Sequence, residues 1–167
     1  QPNTAVEAIS IDWVLQSDVL SLRYHILALC DEIQFPEFMQ SARMDNLWRH
    51  TCFELFLKPE GANGYCEFNF SPSTAWAAYR FSGYRKDMGE LKLFQPPQIN
   101  VANEAKQFTM DVEVDLPEFT RGRELNLGIS AIIVDKSGIK SYWALSHPSG
   151  KPDFHHEDCF SQNLKAS

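Results

Sequence analysis

The chain predicts an all-β fold, an antiparallel β-sandwich of Greek-key or jelly-roll type. Three observations carry that prediction. Residues 47–57, 65–71 and 76–81 are aromatic and aliphatic runs of alternating character, each bounded by Pro, Gly, Asn or Ser. Such runs suit antiparallel strands with two different faces. Turn chemistry recurs at short spacing along the rest of the chain, as in sandwiches of short strands. No stretch holds a helical period long enough for crossover helices, which argues against a doubly wound α/β fold.

The elements follow in order. Residues 5–14 and 18–28 read as two strands. In the second, Leu20, Leu22, Tyr24, Ile26 and Ala28 alternate with Ser21, Arg23 and His25. Residues 31–46 break that period around Pro36 and read as an excursion with at most a short helix. The three central strands come next. Gly61-Ala62-Asn63-Gly64 is a hairpin signal between the first two, and Ser71-Pro72-Ser73 separates the second from the third. Residues 83–91 read as a charged loop. Residues 94–101 carry Pro96-Pro97 and read as an edge strand. Phe108, Met110, Val112 and Val114 alternate with Thr109, Asp111, Glu113 and Asp115, a half-buried strand. Residues 117–124 connect it to a strand at 125–134. Asp135-Lys136-Ser137-Gly138 then turns the chain into a strand at 140–145. Residues 147–167 contain Pro148, Gly150 and Pro152 and hold no period.

The length suits a single domain over residues 1–167 with a full hydrophobic core. The expected core includes Phe53, Leu55, Phe68, Phe70, Phe108, Val112, Leu127 and Ile129. An apolar share of 44% and a charged share of 22% are those of an ordinary soluble globular chain, which argues against disorder. The net charge of -7 opposes nucleic-acid binding, which depends on Lys and Arg against phosphates. It opposes an anionic membrane surface for the same reason. No apolar run is long enough to span a bilayer. Gln1-Pro2-Asn3-Thr4 shows neither a basic nor an apolar signal region, although the chain does not begin with Met. Cys30, Cys52, Cys66 and Cys159 form no Cys-x-x-Cys pair and read as free thiols. Cys52 and Cys66 fall on opposite faces by strand parity. Free thiols fit a reducing compartment, and a cytoplasmic location is the expectation.

The central strands have two contrasting faces. One collects Phe53, Leu55, Leu57, Cys66, Phe68, Phe70, Ala77, Tyr79 and Phe81 and reads as core. The other collects Glu54, Glu67, Asn69, Trp76 and Arg80. Two carboxylates, an amide, a guanidinium and an indole suit a ligand with polar groups and a flat apolar side. The plain alternative is a solvated sheet face with an Arg–Glu ion pair. Trp48, Trp76 and Trp143 are candidate stacking rings, and each also reads as ordinary packing.

Asn46-Leu47-Trp48 followed by Thr51-Cys52-Phe53-Glu54-Leu55-Phe56 resembles the core-strand region of family 9 carbohydrate-binding modules, within the wider DOMON-like group. Glu67-Phe68-Asn69-Phe70-Ser71-Pro72-Ser73 with Trp76-Ala77-Ala78-Tyr79 is similar to a branch of small stand-alone DOMON-like proteins. So is Tyr142-Trp143-Ala144-Leu145-Ser146-His147-Pro148 with Asp153-Phe154-His155-His156. The resemblance covers most of residues 46–160. It implies a DOMON-like β-sandwich that binds a sugar or haem. Sugar-binding members clamp a sugar end between two Trp rings, with charged and amide groups on its hydroxyls. Trp48 and Glu54 match the first part of that pattern, and Trp143 the second Trp. The position often acidic near Trp48 is His50-Thr51 here, a departure at the place of hydroxyl recognition or a calcium site.

The resulting expectation is a non-catalytic binding domain whose partner is a carbohydrate or another small molecule. Its site comprises Glu54, Glu67, Asn69 and Arg80, walled by Trp48 and Trp143, with His147 and His155 at its edge. Two alternatives stay open. One is haem held non-covalently by a His or Met, since no Cys-x-x-Cys-His motif exists. The other is a protein partner with no small ligand. The cluster His147, His155, His156, Glu157, Asp158 and Cys159 lacks known zinc spacings, so no metal is expected. Two carboxylates also recur in glycoside hydrolysis, but nothing in their spacing supports catalysis. No phosphate loop or nucleophile elbow is present.

Overall fold

Alternating burial along the strands builds two antiparallel sheets. A computed structural model describes residues 5–165. Residues 1–4, read above for a targeting signal, and 166–167 lie outside the described residues. The strands are β1 (Val6–Gln16), β2 (Val19–Ala28), β3 (Cys52–Pro59), β4 (Tyr65–Phe70), β5 (Trp76–Phe81), β6 (Gly89–Glu90), β7 (Gln98–Asn103), β8 (Gln107–Asp115), β9 (Leu125–Val134), β10 (Lys140–Ala144) and β11 (Gln162–Leu164). Helix is confined to single 3-10 turns, including Leu47–Arg49 and Glu157–Cys159.

One sheet has the order β1-β2-β8-β7; the other has β10-β9-β3-β4-β5-β6, with β11 also paired to β9. β3, β4 and β5 follow one another as neighbours, and β9 returns through the other sheet to lie beside β3. That order has the Greek-key form. Ser17 and Asp18 both have positive φ, so Gln16 and Val19 are joined by the two-residue turn that matches strand twist. Asp135 Oδ1 accepts from the backbone amides of Ser137 and Ile139, each at 2.9 Å, fixing the predicted turn into β10.

The core lies between the sheets. Leu20, Leu22, Tyr24 and Ile26 of β2 and Phe108, Met110, Val112 and Val114 of β8 meet Phe53, Leu55, Leu57, Cys66, Phe68 and Phe70. Phe53 stacks on Phe108, ring centroids 5.8 Å apart, and meets Tyr24 at a tilt, ring centroids 4.9 Å apart. All eight residues expected in the core are buried. Four differences from the sequence reading stand out. The 94–101 strand begins later, at Gln98, because Pro96 and Pro97 cannot donate to the ladder. β6 lies within the segment read as a loop, and β11 within the segment read as unpatterned. Most important, β3 and β4 are buried on both faces.

The outer face of that sheet carries a second apolar cluster, which includes Leu47, Phe56, Tyr65, Tyr79, Phe81, Ile132 and Phe154. The chain segments 35–50 and 147–160 cover it. Met39 and Met44 donate backbone hydrogen bonds to Ser73 and Trp76 beside β5. At Gly128 an added Cβ would lie 3.1 Å from the Cys159 carbonyl, so a side chain there would press the C-terminal segment away from β9. Cys52 joins this outer cluster and Cys66 the inner one, as their parity predicts.

Phe53→Ala should lower the unfolding free energy by about 3–5 kcal/mol, the usual cost of emptying a buried aromatic site. Urea denaturation at equilibrium checks it. A loss below about 1 kcal/mol would mean that Phe53 is not central to the inter-sheet core.

Candidate functional site

Strand register sets the site. Glu54 pairs with Asn69 on one side and Ser130 on the other; Glu67 pairs with Phe56 and Tyr79. Residues opposite one another in a ladder share a face. Glu54, Glu67, Asn69, Ser130, Phe56 and Tyr79 therefore all point away from the inter-sheet core. Glu54 and Glu67 are only 3% and 6% exposed, so they are not a solvated patch.

These two carboxyls line a recess of about 390 Å3. Trp48, Phe81, Met88, Tyr142 and Phe154 supply its apolar walls, and Arg85, Asp153 and His155 its remaining charged and polar groups. Asn46 adopts positive φ and starts the 3-10 turn that brings Trp48 to the rim, where the residue stays 37% exposed. A wider recess of about 930 Å3 lies on the other side of His155, against Tyr65, Tyr84, Lys58 and Phe160.

The outer wall is pinned by a polar network. Arg85 Nη2 donates to Asp153 Oδ1 at 2.7 Å, and the Tyr84 hydroxyl donates to Asp153 Oδ2. The Arg85 backbone amide donates to the Tyr65 hydroxyl at 3.2 Å. With that hydrogen bond accepted, the Tyr65 hydroxyl directs its own proton toward His155 Nδ1 at 2.7 Å. The imidazole proton then sits on Nε2, 3.5 Å from Glu67 Oε2. Burial, with Arg85 adding to it, pushes His155 down to about 4, so it is neutral at physiological pH.

Burial dominates the two carboxyls as well. It raises Glu67 to about 7, partly offset by Asn69 and Arg85. With the Asn69 amide oriented to donate, its nitrogen lies 3.1 Å from Glu67 Oε1. Glu54 is raised well above the usual carboxyl range by burial first and by Glu67 second. Ser130 Oγ donates to Glu54 Oε2 at 3.3 Å. For Asp153 the balance is reversed. Burial pushes it up, but the bonds from Tyr84 and Arg85 outweigh that and hold it below the usual range.

The structure thus brings Trp48, Glu54, Glu67, Asn69 and His155 together and separates Arg80, Trp143 and His147 from them. Arg80 pairs with Cys66 on the inner side, and its guanidinium sits 3.8 Å from the Phe119 ring centroid. Trp76 pairs with Phe70, also on the inner side, while Ala77, Tyr79 and Phe81 face outward. The parity expected for β5 is therefore inverted. The pairing set by the 71–75 turn decides the phase, and aromatic residues at both parities had hidden it. Trp143 pairs with Ala131, itself opposite Phe53, so it packs toward the core and donates from Nε1 to Ser141 at 2.8 Å. Tyr142 takes the wall position instead. His147 is exposed, its ring 6.0 Å from Phe154, and does not line the recess. Arg85 and Asp153 were missed because a charged loop and an unpatterned tail carry no period to place them.

The C-terminal imidazoles are also committed locally. His156 Nδ1 accepts from the Asp158 amide at 3.2 Å, while Cys159 Sγ donates to the Asp153 carbonyl. Among the described residues no three His, Cys, Asp or Glu side chains gather as a metal site. Among them, too, no helix is long and apolar enough to cross a membrane.

No family model matches the chain, and no curated protein matches it by sequence. Solved structures do match in fold. A proposed carbohydrate-binding protein from Bacteroides uniformis ATCC 8492 is similar at TM-score 0.65 and 13% identity, over 95% of this chain and 78% of the other. A family 9 carbohydrate-binding module from Caldicellulosiruptor kristjanssonii, solved with glucose, is similar at TM-score 0.57 and 10% identity, over 100% of this chain and 80% of the other. These likenesses are of fold: the chain is an antiparallel β-sandwich similar to those two structures.

Glu67→Gln tests the buried carboxyl. Its folded value of about 7 exceeds the ordinary 4.5, so the stability that the protonated group contributes is full below about 4.5 and is lost as pH rises to about 7. The variant has no such loss. Melting temperatures should show Glu67→Gln gaining on the wild type across that window and holding the gain at pH 8. A constant difference from pH 4 to pH 8 would contradict the buried, proton-retaining Glu67. His155 works with the opposite sign: its contribution is full above about 6.5 and is lost as pH falls through about 4.

Proposed function

We propose that this chain is a non-catalytic, single-domain binding module and that its ligand is a saccharide. The recess on the outer face of the β3–β4 sheet is the site. One observation carries the reading: two buried carboxyls, Glu67 held from behind by the Asn69 amide, form the floor of a recess with aromatic walls. Small-ligand sites combine apolar walls with a few convergent polar groups. A sugar presents hydroxyls to the floor and a C–H face to a ring, here Trp48 or Tyr142. The fold likeness to a module solved with glucose supports the same reading. Asn69 and Ser130 position Glu67 and Glu54, while Arg85 and Asp153 hold the wall.

The haem alternative fits these residues poorly. Both ring nitrogens of His155 face partners, the Tyr65 hydroxyl and Glu67. Two buried carboxyls also oppose the acidic edge of a porphyrin. A glycosidase reading needs a leaving group protonated by one carboxyl and attacked from the other side. Glu54 and Glu67 stand instead side by side on neighbouring strands of one floor.

Calorimetric titration against a panel of mono- and disaccharides tests the proposal. Trp48→Ala should weaken binding by about 1–3 kcal/mol, the scale of one large side chain's contact. Arg80→Ala, on the inner face, should leave the affinity unchanged. A Soret band that stays with the purified protein, or loss of sugar binding in Arg80→Ala alone, would sink the reading.

A further inference from the structure

The charges lining the recess are unequal. Glu54, Glu67 and Asp153 supply carboxyls, while Arg85 supplies a guanidinium already bonded to Asp153. With that pair set aside, two buried carboxyls remain. Glu67 meets Asn69 and His155. Glu54 accepts one hydrogen bond, from Ser130 to Oε2, and Oε1 has no partner among the described residues. Glu54 is nonetheless 3% exposed and lines the recess. Among the described residues only Arg43 Nε is a buried side-chain polar atom without a partner, so the free Glu54 oxygen opens on the recess, where a donor can reach it. The walls beside it are aromatic, with Trp48, Phe81, Tyr142 and Phe154 around the two acids. Carboxyls with aromatic faces favour a cation bearing N–H donors, through charge-assisted hydrogen bonds and ring quadrupoles. A neutral hydroxyl draws on neither effect as strongly.

We propose that the saccharide taken by this site is an amino sugar, its protonated amine seated between Glu54 and Glu67 against the aromatic wall. The assignment rests on the saccharide reading above and narrows it to one chemical class. It also accounts for a floor that keeps two acids and places its nearest guanidinium in a bond to Asp153. Burial holds both carboxyls toward their neutral forms in the free protein, so the pair releases a proton to solvent as the ammonium binds and favours the carboxylate form.

Calorimetry on the whole chain reads the preference. Glucosamine, galactosamine and mannosamine are each titrated against the parent hexose and the N-acetyl form, at a pH that keeps the amine charged. At least one amino sugar should bind about tenfold or more tightly than both of its neutral counterparts, the low end for a charged hydrogen bond. Glu54→Gln and Glu67→Gln should remove the preference while melting cooperatively. The wild-type comparison decides by itself if either variant fails to fold. Equal affinity for all three forms overturns the amino-sugar assignment and leaves the saccharide reading standing. Preference retained in both folded variants overturns it as well. Binding of no sugar at all overturns both.

Discussion

Burying Glu54 and Glu67 on the outer face of a sheet whose inner face is already core is the constraint on which the rest of the architecture depends. A sandwich needs only one covered face per sheet, and its other face is ordinarily solvated. Here the chain spends two long segments, 35–50 and 147–160, on covering the second face. That cover excludes water from two carboxyls and leaves a recess beside them. Acids are rarely enclosed without partners, because charge is costly to desolvate. Their presence, with a recess left over them, is what marks this face as the candidate site rather than a second core.

The cover is held by polar groups that share partners. Asp153 takes Tyr84 and Arg85 from the 82–88 segment, and Arg85 in turn reaches Tyr65 through its backbone amide. Tyr65 fixes the tautomer of His155, which then presents an N–H toward Glu67. Arg85 and Asp87 both adopt positive φ, so this segment is bent locally to make the contacts. Gly128 admits the C-terminal segment from the other side. A wall tied at both ends gives the recess a defined shape, the condition under which a ligand would meet a low ordering cost.

The strands were legible because β2 and β8 are covered on one face and alternate cleanly. Glu54, Glu67 and Asn69 were legible for a related reason, since polar residues inside apolar runs mark the face they occupy. The phase of β5 was not. Trp76 and Arg80 share one parity, Tyr79 and Phe81 the other, and a strand buried on both sides gives no contrast to choose between them. The same ambiguity gave Trp143 the place that Tyr142 holds. Arg85, Asp153 and Phe154 come from irregular segments, whose positions follow from tertiary hydrogen bonds rather than from any sequence period. The sequence therefore brought out the two carboxyls, Trp48 and His155 of the recess, while only the folded chain placed Tyr142, Phe154, Arg85 and Asp153 around them.

The central claim is that ligand binds on the outer face and reaches Trp48 without reaching the inner-face indoles. Nitrogen–proton correlation spectra resolve each indole N–H of Trp13, Trp48, Trp76 and Trp143 during a saccharide titration. The account predicts that the Trp48 indole signal shifts with saturation while the Trp76 and Trp143 signals stay in place. A titration that moves Trp143 or Trp76 and leaves Trp48 unmoved would contradict it.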